Sequence, residues 1–385
     1  MKGERTLIYL DNSAGTQPFP QVIETITDVL QNHWGNASAD NSFGNDARDI
    51  INSVTEQVAA DINCDPDDII WTSGACEANS LAIYGALDFD ANLILCTTSF
   101  EHASVLMSRG KSTWITYMLT NDNQGYIDLK DLEETLKFIN DLGHHALISV
   151  SFASSDIGTI QDIKSISKIV HEYGGLLHTD ATQMYPWHKI DVQELGIDLM
   201  SVSGQKLNCV KGIGFLYVNK GVFLNPIIYG TQQNERRGGT YPTHLIAAFG
   251  KALEITRNND TYGQVILIEQ LRNRMLMALQ KVDGVHLNGP RIDKRLPNNI
   301  SLTIDGVKAD TLVAMCDLLG VVIAKGSACK SHEPTPSEAL MAIGLTEEQA
   351  LSTIRISLGR NNTIEEIDQA AHIITKLIER IREDE

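Results

Sequence analysis

The chain has 385 residues, of which 43% are hydrophobic and 21% are charged, as is ordinary for a globular protein. A single hydrophobic core stops growing at roughly 250–300 residues, so we expect one large domain and one smaller domain. The formal net charge of −18 argues against binding to nucleic acid or to anionic lipid surfaces.

No uninterrupted apolar run approaches the roughly 20 residues that a membrane span needs, and the N-terminus lacks the features of a secretory signal. We therefore expect a cytoplasmic protein that does not enter a membrane. The six cysteines form no C-x-x-C pair, and no histidine lies at zinc-finger spacing from them. We predict neither a disulfide framework nor a metal site, which fits a reducing compartment.

The N-terminal two thirds of the chain alternate predicted strands with predicted helices. A strand at 7–11 precedes amphipathic helices at about 20–33 and 44–62. Further strands are predicted at 68–73, 92–96, 146–152, 175–180 and 199–202, with helices from about 77, near 102 and at about 161–173. Short apolar strands between helical patterns predict an α/β fold with a mostly parallel sheet covered on both faces. Ligands of such sheets bind at the carboxyl ends of the strands.

Beyond about residue 255 the pattern changes to a long helix at roughly 262–282 and short strands at 299–303, 321–324 and 353–357. Capping boxes at 335–338 and 363–366 predict two helix starts. This pattern is typical of a smaller α+β domain. We therefore predict a large domain at 16–255, a small domain at 256–385, and an N-terminal segment at 1–15 that packs with the small domain.

Two candidate ligand positions end predicted strands. The segment Thr72-Ser-Gly-Ala-Cys-Glu77 joins a strand to a helix, where backbone N–H groups and the helix dipole favour a phosphate. An ordinary strand-to-helix turn is an equally good interpretation. Asp180 ends an apolar strand and needs a partner for its charge, such as a protonated ring nitrogen. A helix cap or a salt bridge is the commoner role for such an aspartate.

Lys206 follows the apolar segment Leu199-Met-Ser-Val-Ser-Gly204. Burial would lower the pKa of this lysine, and a neutral amine is the form that makes a Schiff base. A lysine that reaches solvent from a sheet edge is the alternative.

Two further candidates lie in the C-terminal part. Cys329 sits in a polar loop beside Lys330 and His332, where its thiolate would be reactive, although most single cysteines are small core residues. Arg355 alternates with buried isoleucines in its predicted strand, so its guanidinium points away from them. It can grip a carboxylate through two hydrogen bonds or form a structural ion pair.

A series of short motifs runs along nearly the whole chain in one order: Tyr9–Asn12, Thr72–Ala75, Glu101–His102, Gly158–Ile160, Asp180–Gln183, Ser203–Lys206, Lys211–Gly214, Arg236–Thr240, Gly326–Cys329 and Arg355–Arg360. This series resembles the NifS-type cysteine desulfurases of the class V aminotransferase family, which use pyridoxal 5'-phosphate. The resemblance implies fold type I of the pyridoxal-phosphate transferases, with a seven-stranded sheet in the large domain.

The resemblance also implies roles for individual residues around the cofactor. Lys206 would carry pyridoxal phosphate, His102 would stack on its ring, Asp180 would pair with the ring nitrogen, and Gln183 would bind the phenolic oxygen. The remaining cofactor contacts would come from Gly74, Ala75, Cys76, Ser155, Ser203 and Gln205, and from Thr240 of the second subunit of a homodimer.

For the substrate, L-cysteine, the resemblance implies that Arg355 binds the carboxylate and that Asn12 lies nearby. Lys206 would remove the Cα proton, and the Cys329 thiolate would take the sulfur as a persulfide and release L-alanine. His102 or His332 would move protons. The persulfide would pass to a protein sulfur acceptor, for iron–sulfur clusters or for thiolated cofactors and nucleotides.

Several positions depart from the family pattern. Gln205 replaces a usual His, Cys76 a usual Thr, Ser155 a usual Asn and Asn41 a usual His, and the segment 154–156 reads Ser-Ser-Asp where Asn-Asn-Glu is usual. We expect altered phosphate contacts and a Ser155 too short to reach the ring oxygen.

Two alternatives therefore stay open. One is another class V enzyme, such as a transaminase, a selenocysteine lyase or a C–S lyase. The other is a sulfur acceptor or scaffold that has lost catalysis.

Overall fold

The structure, a computed structural model, describes residues 7–108, 116–258, 261–326 and 335–384. A two-residue strand, β1 (Ile8–Tyr9), opens the chain. A seven-stranded sheet follows, made of β2 (Ile69–Thr72), β3 (Leu93–Thr97), β4 (Thr116–Met118), β5 (His145–Ser151), β6 (Leu176–Asp180), β7 (Leu199–Ser203) and β8 (Gly214–Val218).

The strands of this sheet lie in the order β2-β8-β7-β6-β5-β3-β4. β8 is antiparallel to β2 and to β7, and every other pair is parallel. All residues of β7 and β8 are buried, as expected for strands covered on both faces. The prediction of a mostly parallel sheet is confirmed.

Helices on both faces of the sheet account for this burial. They are α1 (Pro20–Asn32), α2 (Ser42–Ile62), α3 (Ala75–Phe89), α4 (Ala103–Leu106), α5 (Leu129–Asp141), α6 (Ile163–Glu172), α7 (Val192–Leu195) and α8 (Thr243–Asn258). On one face, Leu81 and Ala82 of α3 pack against Leu199 and Leu216. On the other face, the Trp71 ring meets the Phe249 ring of α8 edge-on, with centroids 5.5 Å apart.

The C-terminal part forms a second, four-stranded antiparallel sheet. The helices and strands of this part of the chain are α9 (Thr261–Leu279), β9 (Val285–Leu287), β10 (Asn299–Ile304), α10 (Ala309–Leu318), β11 (Val321–Val322), β12 (Ala324–Lys325), α11 (Glu338–Ala342), α12 (Glu347–Leu351), β13 (Thr353–Ser357) and α13 (Ile364–Asp384). The sheet order is β12-β13-β10-β9. β1 pairs in parallel with β11, and Asp11 forms a bridge with Ser357. The division at residues 15 and 255 stays a prediction, which these pairings support.

Local predictions differ from the structure at a few points. The predicted strand at 321–324 divides into β11 and β12 because the two halves pair with different strands. The capping box at 335–338 is wrong, because α11 begins only at Glu338 and its N-cap, Ser337, makes no capping hydrogen bond. The box at 363–366 is confirmed, with reciprocal bonds of 3.2 Å between Thr363 and Glu366. Among the described residues, no helix has the length and apolar character needed to span a membrane.

Gly214 of β8 lies so close to the turn before α3 that a side chain would not fit there. A Cβ at Gly214 would lie 2.3 Å from the Val202 carbonyl oxygen and 2.8 Å from Cα of Gly74. We expect Gly214→Ala to lower the free energy of unfolding by about 2 kcal/mol, as overpacking does. Urea unfolding measures the change. Gly15→Ala is the control, since its Cβ meets nothing within 4 Å. Equal losses in both variants would contradict the expectation.

Candidate active site

A cleft opens at the carboxyl ends of β5, β6 and β7 and extends to β13 of the C-terminal sheet. Its walls bring together most of the predicted site residues, namely Gly74, Ala75, Cys76, His102, Ser155, Asp180, Gln183, Ser203, Gln205, Lys206 and Arg355. Thr240 is exposed. Neither Thr240 nor Asn12 is among the described residues that line the cleft. Cys329 and His332 lie outside the described residues.

Lys206 follows β7 in a short 3-10 turn and extends toward the N-terminal segment. Its amine donates a hydrogen bond to the Ala14 carbonyl oxygen at 2.6 Å. Burial, with the neighbouring Arg355 cation, lowers the pKa of Lys206 to about 8. The expected lowering of the pKa is confirmed, and the amine is partly neutral in mildly alkaline solution.

Asp180 ends β6 and is 8% exposed. One carboxylate oxygen accepts from the side-chain amide of Asn79 at 2.8 Å, and the other from the Thr182 backbone at 3.0 Å. Both donors are neutral, and among the described residues no lysine or arginine forms an ion pair with Asp180. A buried carboxylate without a cation is costly, so a protonated ring nitrogen fits here.

Asn79 links Asp180 to His102. Its amide also donates to Ser104 Oγ at 2.9 Å, and that hydroxyl lies 2.8 Å from Nδ1 of His102. Nδ1 accepts the Ser104 backbone N–H at 3.1 Å, which leaves the proton of a neutral imidazole on Nε2. The sequence analysis missed Asn79, although a buried amide among the apolar residues of α3 was a usable indication.

The turn before α3 fits a phosphate. Gly74 adopts φ 144°, and the first N–H groups of the helix lack intrahelical acceptors. Ser203 Oγ lies 3.6 Å from the position of a Gly74 Cβ. Glu77 braces the turn by accepting from Ser73 N–H at 2.8 Å and from Arg237 at 2.7 Å. Burial raises the pKa of Glu77, but these bonds outweigh it and the net pKa is lowered.

Three further predicted positions make contacts of their own. Gln183 donates to the Ser13 carbonyl oxygen at 3.1 Å, and Ser155 Oγ donates to Asp156 at 3.3 Å. Asn12 donates to the Ser357 carbonyl oxygen at 3.0 Å. Asn41, where the family usually has His, caps α2 by accepting Gly44 N–H at 3.0 Å.

Arg355 lies between two carboxylates. Nη1 donates to Asp156 at 3.1 Å, and Nη2 donates to Asp11 at 3.0 Å. The buried Nε has no hydrogen-bond partner among the described residues. The structural ion pair that the sequence allowed is therefore present, and the guanidinium also faces the cleft. The two acids were not predicted as its partners.

Glu101 is a further acid of the cleft, which the sequence analysis named only as part of the motif Glu101–His102. It lines the cleft and accepts from Thr98 Oγ1 at 2.6 Å and from Ser151 Oγ at 2.5 Å. Burial raises its pKa to about 7, against the effect of these bonds. A group of three or more His, Cys, Asp or Glu side chains able to hold a metal ion is absent from the described ranges.

Comparison with known proteins identifies the family. The model of the family Aminotransferase class-V matches residues 8–370. The chain belongs to this family. A cysteine desulfurase IscS from Dictyoglomus turgidum is 35% identical over 384 residues, which is 97% of this chain and 95% of that protein.

Solved structures agree with this assignment. A NifS-like protein from Rickettsia africae is 28% identical, with a TM-score of 0.87 over 98% of this chain and 99% of the other. SspA in complex with cysteine is 29% identical, with a TM-score of 0.79 over 92% of this chain and 100% of the other. The predicted fold type I and the resemblance to NifS-type proteins are confirmed.

Class V aminotransferase-family enzymes of this kind depend on pyridoxal 5'-phosphate, so the predicted cofactor is confirmed. The cleft offers what the cofactor requires: a partly neutral lysine, a carboxylate without a cation and a helix N-terminus. When bound, pyridoxal phosphate supplies an electron sink for the carbanion formed at the substrate Cα.

The lowered pKa of Lys206 predicts the pH dependence of cofactor loading. The neutral amine that reacts with the aldehyde increases as pH rises through about 8, whereas an ordinary lysine needs pH ~10.4. We expect the loading rate of the apoprotein, followed by absorbance, to rise with a midpoint near pH 8. Arg355→Gln removes a cation that lowers this pKa, so its midpoint should move upward. A midpoint near 10 in the unmodified protein would contradict this interpretation.

Proposed function

We propose that this enzyme is a cysteine desulfurase, which converts L-cysteine to L-alanine and transfers the sulfur to Cys329 as a persulfide. The observation that carries this proposal is one cleft that holds Lys206, Asp180 and Arg355 together. The names of its relatives support the proposal, since they include cysteine desulfurases and a neighbour solved with cysteine.

In this proposal Asp180 would keep the ring nitrogen of the cofactor protonated, Gln183 would bind its phenolic oxygen, and His102 would stack on its ring, with Ser155 in the cleft wall nearby. The backbone of Gly74 and Ala75 would hold the phosphate, together with the side chains of Ser203, Cys76 and Gln205. The braced turn at Glu77 holds these donors in place before the phosphate arrives.

Lys206 acts as the base in this proposal. Its lowered pKa makes a neutral amine available near neutral pH, and the bond to Ala14 holds that amine in the cleft. His102 directs the N–H of its Nε2 away from Ser104, so this N–H can donate a hydrogen bond to a group in the cleft.

The substrate is held by its carboxylate at Arg355, with Asn12 close to that strand. The Cys329 thiolate attacks the substrate sulfur, so that a sulfur–sulfur bond forms while the carbon–sulfur bond breaks. The electron pair of the broken bond stays with the carbon fragment, which is protonated and leaves as L-alanine. The attack requires that Cys329 reach the cleft, and the described residues on either side of it in the sequence, Gly326 and Thr335, both line the cleft.

The test combines a spectrum with a product assay. Purified protein with pyridoxal phosphate should show a bound-cofactor band and form L-alanine from L-cysteine. Cys329→Ser should keep the band and lose alanine formation by roughly 10³-fold or more, since the sulfur then has no acceptor. Cys64→Ser is the control, because Cys64 lies outside the cleft and burial raises its pKa to about 12.

Each alternative has its own outcome in this experiment. A cofactor band with no alanine, but with transamination or release of another product, would indicate another class V activity. Protein that stays colourless with pyridoxal phosphate would indicate a sulfur acceptor or scaffold that has lost catalysis.

A homodimer is part of the proposal. Thr240 is exposed and outside the cleft of its own chain, as expected if it reaches the phosphate of a second subunit. We expect sedimentation to show a dimer, and Thr240→Ala to weaken cofactor affinity about tenfold through loss of one phosphate bond. Thr27→Ala, at an exposed position outside the cleft, is the control. Unchanged cofactor affinity in Thr240→Ala would show that Thr240 does not contact the phosphate.

We further propose a cytoplasmic location and a protein sulfur acceptor that uses the persulfide for iron–sulfur clusters or thiolated cofactors. The cysteines within the described residues are free, which is compatible with a reducing compartment.

A further inference from the structure

The carboxylate of Asp156 accepts hydrogen bonds from three side chains of the cleft wall. One carboxylate oxygen accepts from Arg355 Nη1 at 3.1 Å and from Ser155 Oγ at 3.3 Å. The other accepts from Ser337 Oγ at 3.1 Å. Asp156 therefore has two hydroxyl partners that do not depend on Arg355.

Ser337 makes its bond to Asp156 instead of a helix cap. A serine at the N-cap normally accepts a backbone N–H of the first turn, which stabilises a helix by about 1 kcal/mol. Ser337 occupies the N-cap of α11 but forms no such bond. Its hydroxyl donates to Asp156, so this acid remains hydrogen-bonded at that oxygen if its contact with Arg355 is replaced.

The two acids on Arg355 differ in where they face. Asp11 is 19% exposed and is not part of the cleft wall among the described residues, whereas Asp156 is 30% exposed and lines the cleft. A ligand that enters the cleft meets Arg355 on the side of Asp156. Asp11 bonds to the Arg355 guanidinium from outside the cleft wall, so Asp156 is not needed to hold the guanidinium in place.

The charges of this cluster oppose a carboxylate ligand. Arg355 contributes one positive charge, and its two partners contribute two negative charges, so the cluster carries a net charge of about −1 when both acids are ionised. A substrate carboxylate would make it about −2. Binding of the substrate at Nη1 therefore requires that Asp156 give up this contact, and the serine hydroxyls then remain as its hydrogen-bond partners.

We propose that Asp156 is a counter-ion that competes with the substrate carboxylate for Arg355 and so lowers the affinity for amino-acid substrates. This inference rests on the proposed role of Arg355 in binding the substrate carboxylate. Asp156 is thus a specificity-determining residue: it penalises ligands that carry a carboxylate and leaves ligands without one unaffected.

Matched ligands separate this effect from damage to the fold. L-alanine and ethylamine both present an amine to the cofactor, but only L-alanine has a carboxylate. Titration of the holoenzyme with each, followed by the change in the cofactor absorbance, gives two affinities without turnover. In Asp156→Asn we expect L-alanine to bind roughly 2–5-fold more tightly and ethylamine to bind as before, since a partly exposed ion pair contributes up to about fivefold.

Three further variants complete the test. Asp156→Glu keeps the charge, so its affinity for L-alanine should not increase. Ser337→Ala removes a hydroxyl that holds Asp156 after it leaves Arg355, so it should weaken L-alanine binding and leave ethylamine binding unchanged. Arg355→Gln should weaken L-alanine binding at least tenfold and leave ethylamine unchanged.

The outcomes distinguish the inference from the proposed function. Weaker or unchanged L-alanine binding in Asp156→Asn, with the expected loss in Arg355→Gln, would overturn the competition and leave the substrate site in place. The same would follow if Asp156→Glu bound L-alanine as tightly as Asp156→Asn. Unchanged L-alanine binding in Arg355→Gln would overturn both, because the carboxylate would not bind there. Should Asp156→Asn fail to fold, Ser337→Ala carries the same comparison of L-alanine with ethylamine.

Discussion

The charge of Asp180 is the constraint on which the site depends. A carboxylate that is 8% exposed and receives only neutral donors is stable when a cation joins it, and the cleft is where that cation enters. Asn79 connects Asp180 to a wider hydrogen-bond network, because the side-chain amide that donates to Asp180 also donates to Ser104, next to His102. Asp180 and His102 are thereby positioned relative to each other by one hydrogen-bond network.

The N-terminal turn is the second organising element. Its backbone accepts the Lys206 amine at Ala14 and the Gln183 amide at Ser13, while Asp11 accepts from Arg355. Under the proposed function, the residues that would contact the cofactor and the residue that would bind the substrate thus form hydrogen bonds to the same short segment. A change in this turn would alter both kinds of contact together.

Much of this arrangement followed from local sequence patterns. Asp180 and Lys206 could be predicted because each follows an apolar strand, and the carboxyl ends of parallel strands meet at one edge of a sheet. The capping box at Thr363 could be predicted because its two partners are three residues apart. The box at Thr335 failed because α11 begins later, at Glu338, and its N-cap residue Ser337 bonds to the distant Asp156 instead of capping the helix.

The partners of Arg355 show why the remainder could not be predicted. Asp156 and Asp11 are 199 and 344 residues away along the chain, so no local periodicity connects them to the arginine. The raised pKa of Glu101 likewise depends on its burial in the folded protein, which outweighs the opposite effect of the hydrogen bonds from Thr98 and the distant Ser151. Such properties belong to the assembled cleft.

The pairing of the N-terminal turn with β13 has a consequence for biosynthesis. Asn12 and Ser13 are held by Ser357, a residue that the ribosome adds near the end of the chain. The large sheet can form earlier, because all of its strands precede residue 219. Until Ser357 emerges, however, Asn12 and Ser13 lack the partner that joins the N-terminal turn to β13. The large sheet can therefore be complete before this turn is joined to the C-terminal sheet.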